Sequence, residues 1–222
     1  FSIEVSARLL GFAFYLGVLP LIWRLARQFQ CTSQQVFLFS LFYLISPFYL
    51  FWGRTVMIES CAVFFSLAWL TSLILFFENP QQRTRWFLLA VFTGVMGALT
   101  KITTFFVFGF AGGIFVLYFL QQRQLLPSSS ALILLLQSII MVGIPLTAML
   151  LYTDFADEIK RTHPLGSSLT SEALRTWNYG TLEQRLDISN WGTLLLRLLT
   201  KLLGAVGLVL LISAFFIKWQ RR

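Results

Sequence analysis

The sequence has 222 residues, of which 57% are hydrophobic and 12% charged, and its mean hydropathy is +0.77. A water-soluble domain of this length needs far more polar surface, so that class is excluded. The formal net charge of +8 would suit a nucleic-acid binder, but no basic stripe lies on a soluble element. The composition therefore predicts an all-α polytopic membrane protein that does not bind nucleic acid.

Apolar runs of the length that crosses a bilayer, about 20 residues, recur along the whole chain. The seven predicted spans cover residues 5–27, 36–52, 56–77, 86–100, 102–120, 131–152 and 191–219. Lys101 separates the fourth span from the fifth. The polar segment 153–190 is predicted to be an exterior loop with short amphipathic helices on the membrane surface. We expect one transmembrane domain over residues 1–222, as part of a larger core.

The distribution of charge predicts the orientation. If the seven spans alternate, one side receives eight basic residues and one acid, and the other receives nine basic and eight acidic residues. Basic loops stay in the cytoplasm, so the first side is predicted to be cytoplasmic. Glu59, Lys101 and the polar segment then face the exterior, which in a bacterium is the periplasm. The chain is thus predicted to be multi-pass in the plasma (inner) membrane, with its active face outside.

Charged residues collect at the predicted exterior ends of the spans. An ionisable residue at a membrane boundary is a functional candidate, because hydrocarbon penalises charge. The candidates are Glu4, Arg8, Arg54, Glu59, Lys101, Arg197 and Lys201. Their cations suit a lipid phosphate, and the last two lie four residues apart on one helix face. Structural roles stay open: Glu59 could pair with Arg54, and Arg197 could reach lipid headgroups.

The sequence shows no metal framework and predicts no cofactor. Cys31 and Cys61 have no metal-ligand spacing, and His163 has no second ligand nearby. Only Glu59 is a well-placed carboxylate, so a divalent cation stays open only if a preceding loop supplies another. The chain also contains no phosphate-binding loop, dinucleotide fingerprint or hydrolase nucleophile motif.

Three stretches carry a family resemblance: EVSARLLGFAFYLGVLPLIWRLARQF, SPFYLFWGRTVMIESCAVFFSLAWL and GALTKITTFFVF. They resemble the GT-C membrane glycosyltransferases, in the branch of dolichyl-phosphate-mannose protein mannosyltransferases and bacterial aminoarabinose lipid A transferases. The motif positions of that branch fall on Glu4 and Arg8, then Pro47, Arg54 and Glu59, then Gly97, Thr100 and Lys101. The resemblance covers about residues 1 to 120.

The resemblance implies a hexosyltransferase whose donor is a sugar on a polyprenyl phosphate with its headgroup outside. An acidic residue acts as base on the acceptor hydroxyl or orients it, the sugar transfers with inversion, and polyprenyl phosphate leaves. Glu59 takes the second acidic position of the family. Arg8, Arg54 and Lys101 are expected to bind substrate or phosphate, and Arg197 and Lys201 join them on physical grounds. Membrane lipids are the other expected partner.

The resemblance also implies that the principal acid lies upstream of Phe1, so the chain is expected to be a fragment that is inactive alone. Two other functions stay open. A transporter or flippase for a lipid-linked saccharide should show repeats and helices broken at mid-membrane, and neither is evident. A non-catalytic membrane subunit would lose only stability on Glu59→Gln.

Overall fold

The computed structural model describes residues 2–46, 49–51, 58–122, 129–164, 166–204 and 207, and within these ranges it contains helices and no strand. The helices are α1 (Ile3–Gln28), α2 (Ser33–Ile45), α3 (Glu59–Glu78), α4 (Arg83–Gln122), α5 (Ser129–Thr162), α6 (Arg175–Tyr179), α7 (Leu182–Leu186) and α8 (Ile188–Arg197). Two 3-10 turns, Pro80–Gln82 and Ser167–Leu169, and a π turn, Leu198–Leu203, accompany them. The predicted all-α class is confirmed.

Among the described residues, four helices are long and apolar enough to cross a membrane: α1, α3, α4 and α5. Helix α4 supplies two of the predicted spans, because Lys101 leaves helical geometry with φ −162° and ψ 97°. We name the two halves α4a (residues 83–100) and α4b (residues 102–122). The predicted separation of two spans at Lys101 is confirmed. Helix α2, with 13 residues, is shorter than a bilayer requires.

The two halves of α4 run antiparallel beside α3. The Phe76 ring contacts Phe87 of α4a at 6.4 Å, and the Phe77 ring contacts Phe119 of α4b at 5.0 Å. The far ends of both halves therefore lie at the C-terminal end of α3, and Lys101 lies at its N-terminal end. Helix α3 is the central one. In an apolar stretch of 18 residues from each helix, 67% of the α3 stretch is buried, against 17% for α1 and α4 and 22% for α5.

Glycine lets both halves of α4 approach α3 at one level. Trp69, in the middle of α3, is fully buried, and its Nε1 donates to the Met141 carbonyl of α5 at 3.1 Å. A Cβ on Gly94 would lie 2.7 Å from the Trp69 ring, and one on Gly112 would lie 2.8 Å from it. Small residues at such contacts are how membrane helices pack closely. This tryptophan is therefore the centre of the bundle.

We call the end of the bundle that holds Glu59 and Lys101 the Glu59 end, and the opposite end the Glu78 end. Helix α5 runs toward the Glu59 end beside α4a, with Pro145 against Gly94. It reaches the level of Lys101 seven residues later, at about residue 152. The sixth span was predicted to end at this level, at residue 152. The helix instead continues to Thr162, about 15 Å further. No glycine or proline interrupts residues 153–162, so nothing local ends the helix.

The second span also differs from its prediction. A capping box of Thr32 and Gln35 starts α2 at Ser33, and the helix ends at Ile45. Ser46 has φ −58° and ψ 120°, the extended geometry that a following proline imposes on the residue before it. The predicted continuous helix over residues 36–52 is therefore wrong at Ser46, and the chain is helical again over residues 49–51.

The seventh predicted span does not continue as one helix. Helix α8 begins at Ile188 and passes into the π turn, and Gly204 then has φ 65° and ψ 174°. Glycine adopts this backbone conformation without steric penalty, whereas other residues rarely do. The predicted continuous helix from Trp191 is thus interrupted at Gly204. Apart from residue 207, the rest of that predicted span lies outside the described residues.

The segment after α5 is tied back to that helix by Asp157, which is only 6% exposed. Its carboxylate accepts hydrogen bonds from the Ser171 hydroxyl and from the Ser171 backbone N–H at 2.9 Å, and it pairs with Lys160 at 3.3 Å. The Ser171 hydroxyl, with the backbone N–H and Lys160, holds the pKa of the Asp157 carboxyl below its usual range, against the effect of burial. These contacts hold Ser171 and the neighbouring 3-10 turn against the part of α5 that projects beyond the Glu59 end.

Candidate functional site

An ion pair joins the start of α3 to the tip of the α4 hairpin. Lys101 Nζ donates to Glu59 Oε1 at 2.9 Å, although the two residues are 42 positions apart in sequence. The side chains are 37% and 19% exposed, respectively, so the pair is half-buried and still reachable from outside the bundle. A carboxylate can accept a hydrogen bond from a hydroxyl, and an ammonium can bind a phosphate.

The second carboxylate oxygen of Glu59 takes no part in the ion pair with Lys101. Oε2 is buried and has no hydrogen-bond partner among the described residues. The nearby Thr100 hydroxyl, which lies beside the Cys61 thiol, donates instead to the Met96 carbonyl at 2.6 Å. A buried acceptor without a donor is unfavourable, so this oxygen is suited to receive a donor from a bound molecule. Arg54, the predicted alternative partner of Glu59, lies outside the described residues, as does Pro47.

Arg8 lies at the same end of the bundle but in a different ion pair. Its Nη2 contacts Glu4 Oε1 at 2.6 Å, one helical turn away, and both side chains are exposed. Helix α1 meets α3 where the Phe14 ring packs against Phe64 at 5.3 Å. Arg8 precedes Phe14 by six residues and Glu59 precedes Phe64 by five, so each lies about 8 Å from this contact toward its helix start.

Gly97, the first residue of the predicted Gly…Thr-Lys pattern, holds α4a close to α3 below the pair. A Cβ there would lie 3.2 Å from Ser66 Oγ and 3.3 Å from the Phe105 ring of α4b. Arg197 and Lys201 are placed differently. Both are exposed, on α8 and on the π turn, and no ion pair joins either to a described carboxylate. The structure therefore joins Glu59 and Lys101 directly and does not join these two cations to them.

A tyrosine cluster at the Glu59 end was not predicted. The Tyr15 hydroxyl donates to the Leu44 carbonyl at 2.9 Å, and the Tyr43 hydroxyl donates to the Tyr15 carbonyl at 3.1 Å. The Tyr43 ring stacks on Tyr15 at 4.9 Å and contacts Tyr49 at 5.0 Å. The cluster locks α2 to α1 where the chain leaves α2 toward Glu59. The available signal was that tyrosines flank Pro47 in sequence, on residues 43 and 49.

The donor set at this end favours an organic anion and a hydroxyl more than a metal ion. In the part of the chain that the structure describes, no three His, Cys, Asp or Glu side chains come together. Hard cations such as Mg²⁺ or Ca²⁺ take several oxygen ligands, whereas here one carboxylate is already paired with an ammonium. The geometry therefore assigns no metal ligand.

Comparison with known families finds a match for most of the chain. Residues 2–158 match the family model described as dolichyl-phosphate-mannose-protein mannosyltransferase. The match includes the Glu59–Lys101 pair and Arg8, and it leaves α6, α7 and α8 outside. No curated protein matches the chain significantly, and no solved structure does.

Proposed function

Because the chain belongs to the dolichyl-phosphate-mannose-protein mannosyltransferase family, and is thus a multi-pass membrane glycosyltransferase with a polyprenyl-phosphate sugar donor, we propose that it transfers the sugar to an acceptor hydroxyl at the exterior face. The acceptor hydroxyl belongs to a lipid, a glycan or a protein. The observation that carries the site assignment is the half-buried Glu59–Lys101 pair, whose buried Oε2 has no hydrogen-bond partner among the described residues.

Lys101 is proposed to bind the donor phosphate. Its ammonium has three N–H donors, of which one binds Glu59, and its side chain is partly exposed. When the sugar departs, the bond between its anomeric carbon and the phosphate oxygen breaks and the electron pair stays on the phosphate. A fixed cation stabilises that developing charge. Arg8 and Arg54 are proposed as further phosphate contacts, and Arg197 and Lys201 stay predictions.

Glu59 is proposed to bind the acceptor. Its Oε2 accepts a hydrogen bond from the acceptor hydroxyl, whose oxygen forms the new bond to the anomeric carbon while the proton passes to a carboxylate. Such a positioned carboxylate raises the fraction of acceptor in reactive geometry and assists proton removal. Lys101 fixes the other oxygen of Glu59, which keeps Oε2 directed to one place.

The exterior orientation is proposed from charge. Arg24 and Arg27 close α1, and Arg83 and Arg85 open α4, all toward the Glu78 end. Basic residues in short loops stay in the cytoplasm, so the Glu59 end faces outward. The pair also lies at the end of its helices, whereas transporters bind substrate near mid-membrane. This position favours transfer at the surface over transport.

The test is Glu59→Gln, with Glu78→Gln at the other end of the same helix as the matched control. Transfer of labelled mannose from polyprenyl phosphate is measured in membranes that contain the full-length protein. Loss of general-base or positioning assistance should lower the rate of Glu59→Gln by about 10²-fold or more. Glu78→Gln should transfer at the wild-type rate. Equal rates in both variants would refute the proposal and favour a non-catalytic subunit.

A further inference from the structure

Helix α8 has two chemically distinct faces. Four polar residues recur at every fourth position from α8 into the π turn: Ser189, Thr193, Arg197 and Lys201. The bulky apolar side chains occupy the remaining arc of α8, with the spacing that places them on one side of a helix. They are Ile188, Trp191, Leu194, Leu195 and Leu196. The segment is therefore amphipathic along its whole length.

The apolar face has no partner in the described part of the protein. Every residue from 181 to 201 is exposed, and Ile188 and Leu196 expose 85% and 62% of their surface. The helix is nonetheless well formed at its start, since Asp187 caps it by accepting from the Ser189 N–H at 2.9 Å. An ordered helix that exposes a continuous row of leucines needs an apolar environment on that side.

We propose that α8 lies in the plane of the membrane surface at the Glu59 end, with its apolar face among the acyl chains and Arg197 and Lys201 on phospholipid phosphates. The described residues between Thr162 and Ile188 form no helix long enough to cross the membrane, so α8 is on the side to which α5 projects. The membrane is thus the apolar phase nearest to it.

Charge identifies lipid, and not a protein surface, as the occupant. Between Ile188 and Leu203 the described chain carries two cations and no acid, which suits a layer of phosphates. Trp191 lies on the apolar side with its indole N–H bonded to the Arg185 carbonyl at 2.7 Å, so its one polar atom is satisfied. Tryptophan with an apolar body and a satisfied N–H is typical of the interface.

A membrane-crossing orientation is disfavoured by the same residues. From Ile188 to Leu203 the helical segment is about 24 Å long, less than the hydrocarbon thickness of about 30 Å. Crossing would place the polar stripe of Arg197 and Lys201 in hydrocarbon, where charge is penalised. The backbone also leaves helical geometry at Gly204. An in-plane orientation keeps every polar side chain at the headgroup level.

The inference is tested by spin labels on the full-length protein in nanodiscs of zwitterionic and anionic phospholipid. In a Cys31→Ser/Cys61→Ser background, single cysteines replace Thr193 or Ser189 on the polar face and Leu195 or Ile188 on the apolar face. Accessibility to oxygen, which partitions into lipid, is compared with accessibility to a water-soluble nickel chelate. Labels on residues 188 and 195 should show a several-fold higher oxygen-to-nickel ratio than labels on residues 189 and 193, at one common depth.

Each other pattern overturns the inference. A ratio that rises steadily from residue 188 to residue 195 on both faces means that the helix crosses the membrane. Low accessibility to both reagents on the apolar face means that protein covers it. High nickel accessibility on both faces means a solvated helix. If the cysteine background does not fold, wild type and Trp191→Phe are compared by quenching with lipids brominated near the headgroup, where the wild type should lose the additional emission of Trp191.

Discussion

At the scale of single residues, Glu59 and Lys101 depend on each other. Glu59 is only 19% exposed and Lys101 is its one hydrogen-bond donor among the described residues. Removing either partner leaves a charge in a poorly solvated place, which is more unfavourable than replacing both by neutral groups. The pair therefore has a structural effect that can be separated from its proposed role in transfer.

Lys101→Met should lower the melting temperature of the protein by about 2–4 °C for each ~1 kcal/mol lost, because Glu59 then has no counter-charge. The double variant Glu59→Gln/Lys101→Met should recover most of that loss and remain inactive. Both melting temperatures are measured by thermal unfolding in detergent, followed by tryptophan fluorescence. Sugar transfer is assayed in the same variants. A double variant no more stable than the single one would mean that the pair contributes no electrostatic stabilisation.

At the scale of elements, the α4 hairpin positions Lys101. The hairpin is held against α3 where Trp69 meets Gly94 and Gly112, and a Cβ at either position would contact the ring at less than 3 Å. Gly113, the next residue along α4b, has nothing within 4 Å of its own Cβ position. Substitutions at these two neighbouring glycines therefore distinguish the effect of close packing on stability from the effect of backbone flexibility.

Gly112→Ala should destabilise the protein by about 1–3 kcal/mol, because Trp69 is fully buried and cannot move aside without a shift of α4b. Gly113→Ala should be neutral or slightly stabilising, since alanine favours the helix and meets no neighbour. Thermal unfolding of the two variants, compared side by side, measures the difference. Equal melting temperatures would show that α4b does not pack against Trp69 as closely as described.

At the scale of the whole molecule, charge is distributed unevenly between the two ends. The Glu78 end carries arginines at the end of α1 and at the start of α4, whereas the Glu59 end and the segment beyond α5 mix acids and bases. This asymmetry is the physical basis for the proposed orientation.

The orientation is tested with a membrane-impermeant maleimide on intact cells. An introduced cysteine at the exposed Glu172, beyond α5, should react from outside, and the native Cys31, between α1 and α2, should react only after permeabilisation. The Cys31→Ser variant without the introduced cysteine controls for background. Labelling of Cys31 on intact cells, with residue 172 protected, would reverse the orientation and place the site in the cytoplasm.

The spans in α1, α3, α4 and α5 and the break at Lys101 could be predicted because each depends on local sequence: apolar length in the first case and an interrupting charge in the second. The end of α2 at Ser46 was missed although the following proline is a local signal, because the apolar run continues across it. The amphipathic character of α8 was missed because a high leucine content resembles a span when hydropathy is averaged over all faces.

By itself, the sequence determined that this protein lies in a membrane, that it is helical, and which charged residues are candidates for the site. Composition and periodicity decide which segments enter the bilayer. Only the tertiary structure decided that Glu59 pairs with Lys101, 42 residues away, and that Arg197 and Lys201 lie apart from that pair on an exposed helix. The reason is physical: a contact between distant residues depends on how helices pack, here through glycines around Trp69, and packing is a property of several segments together.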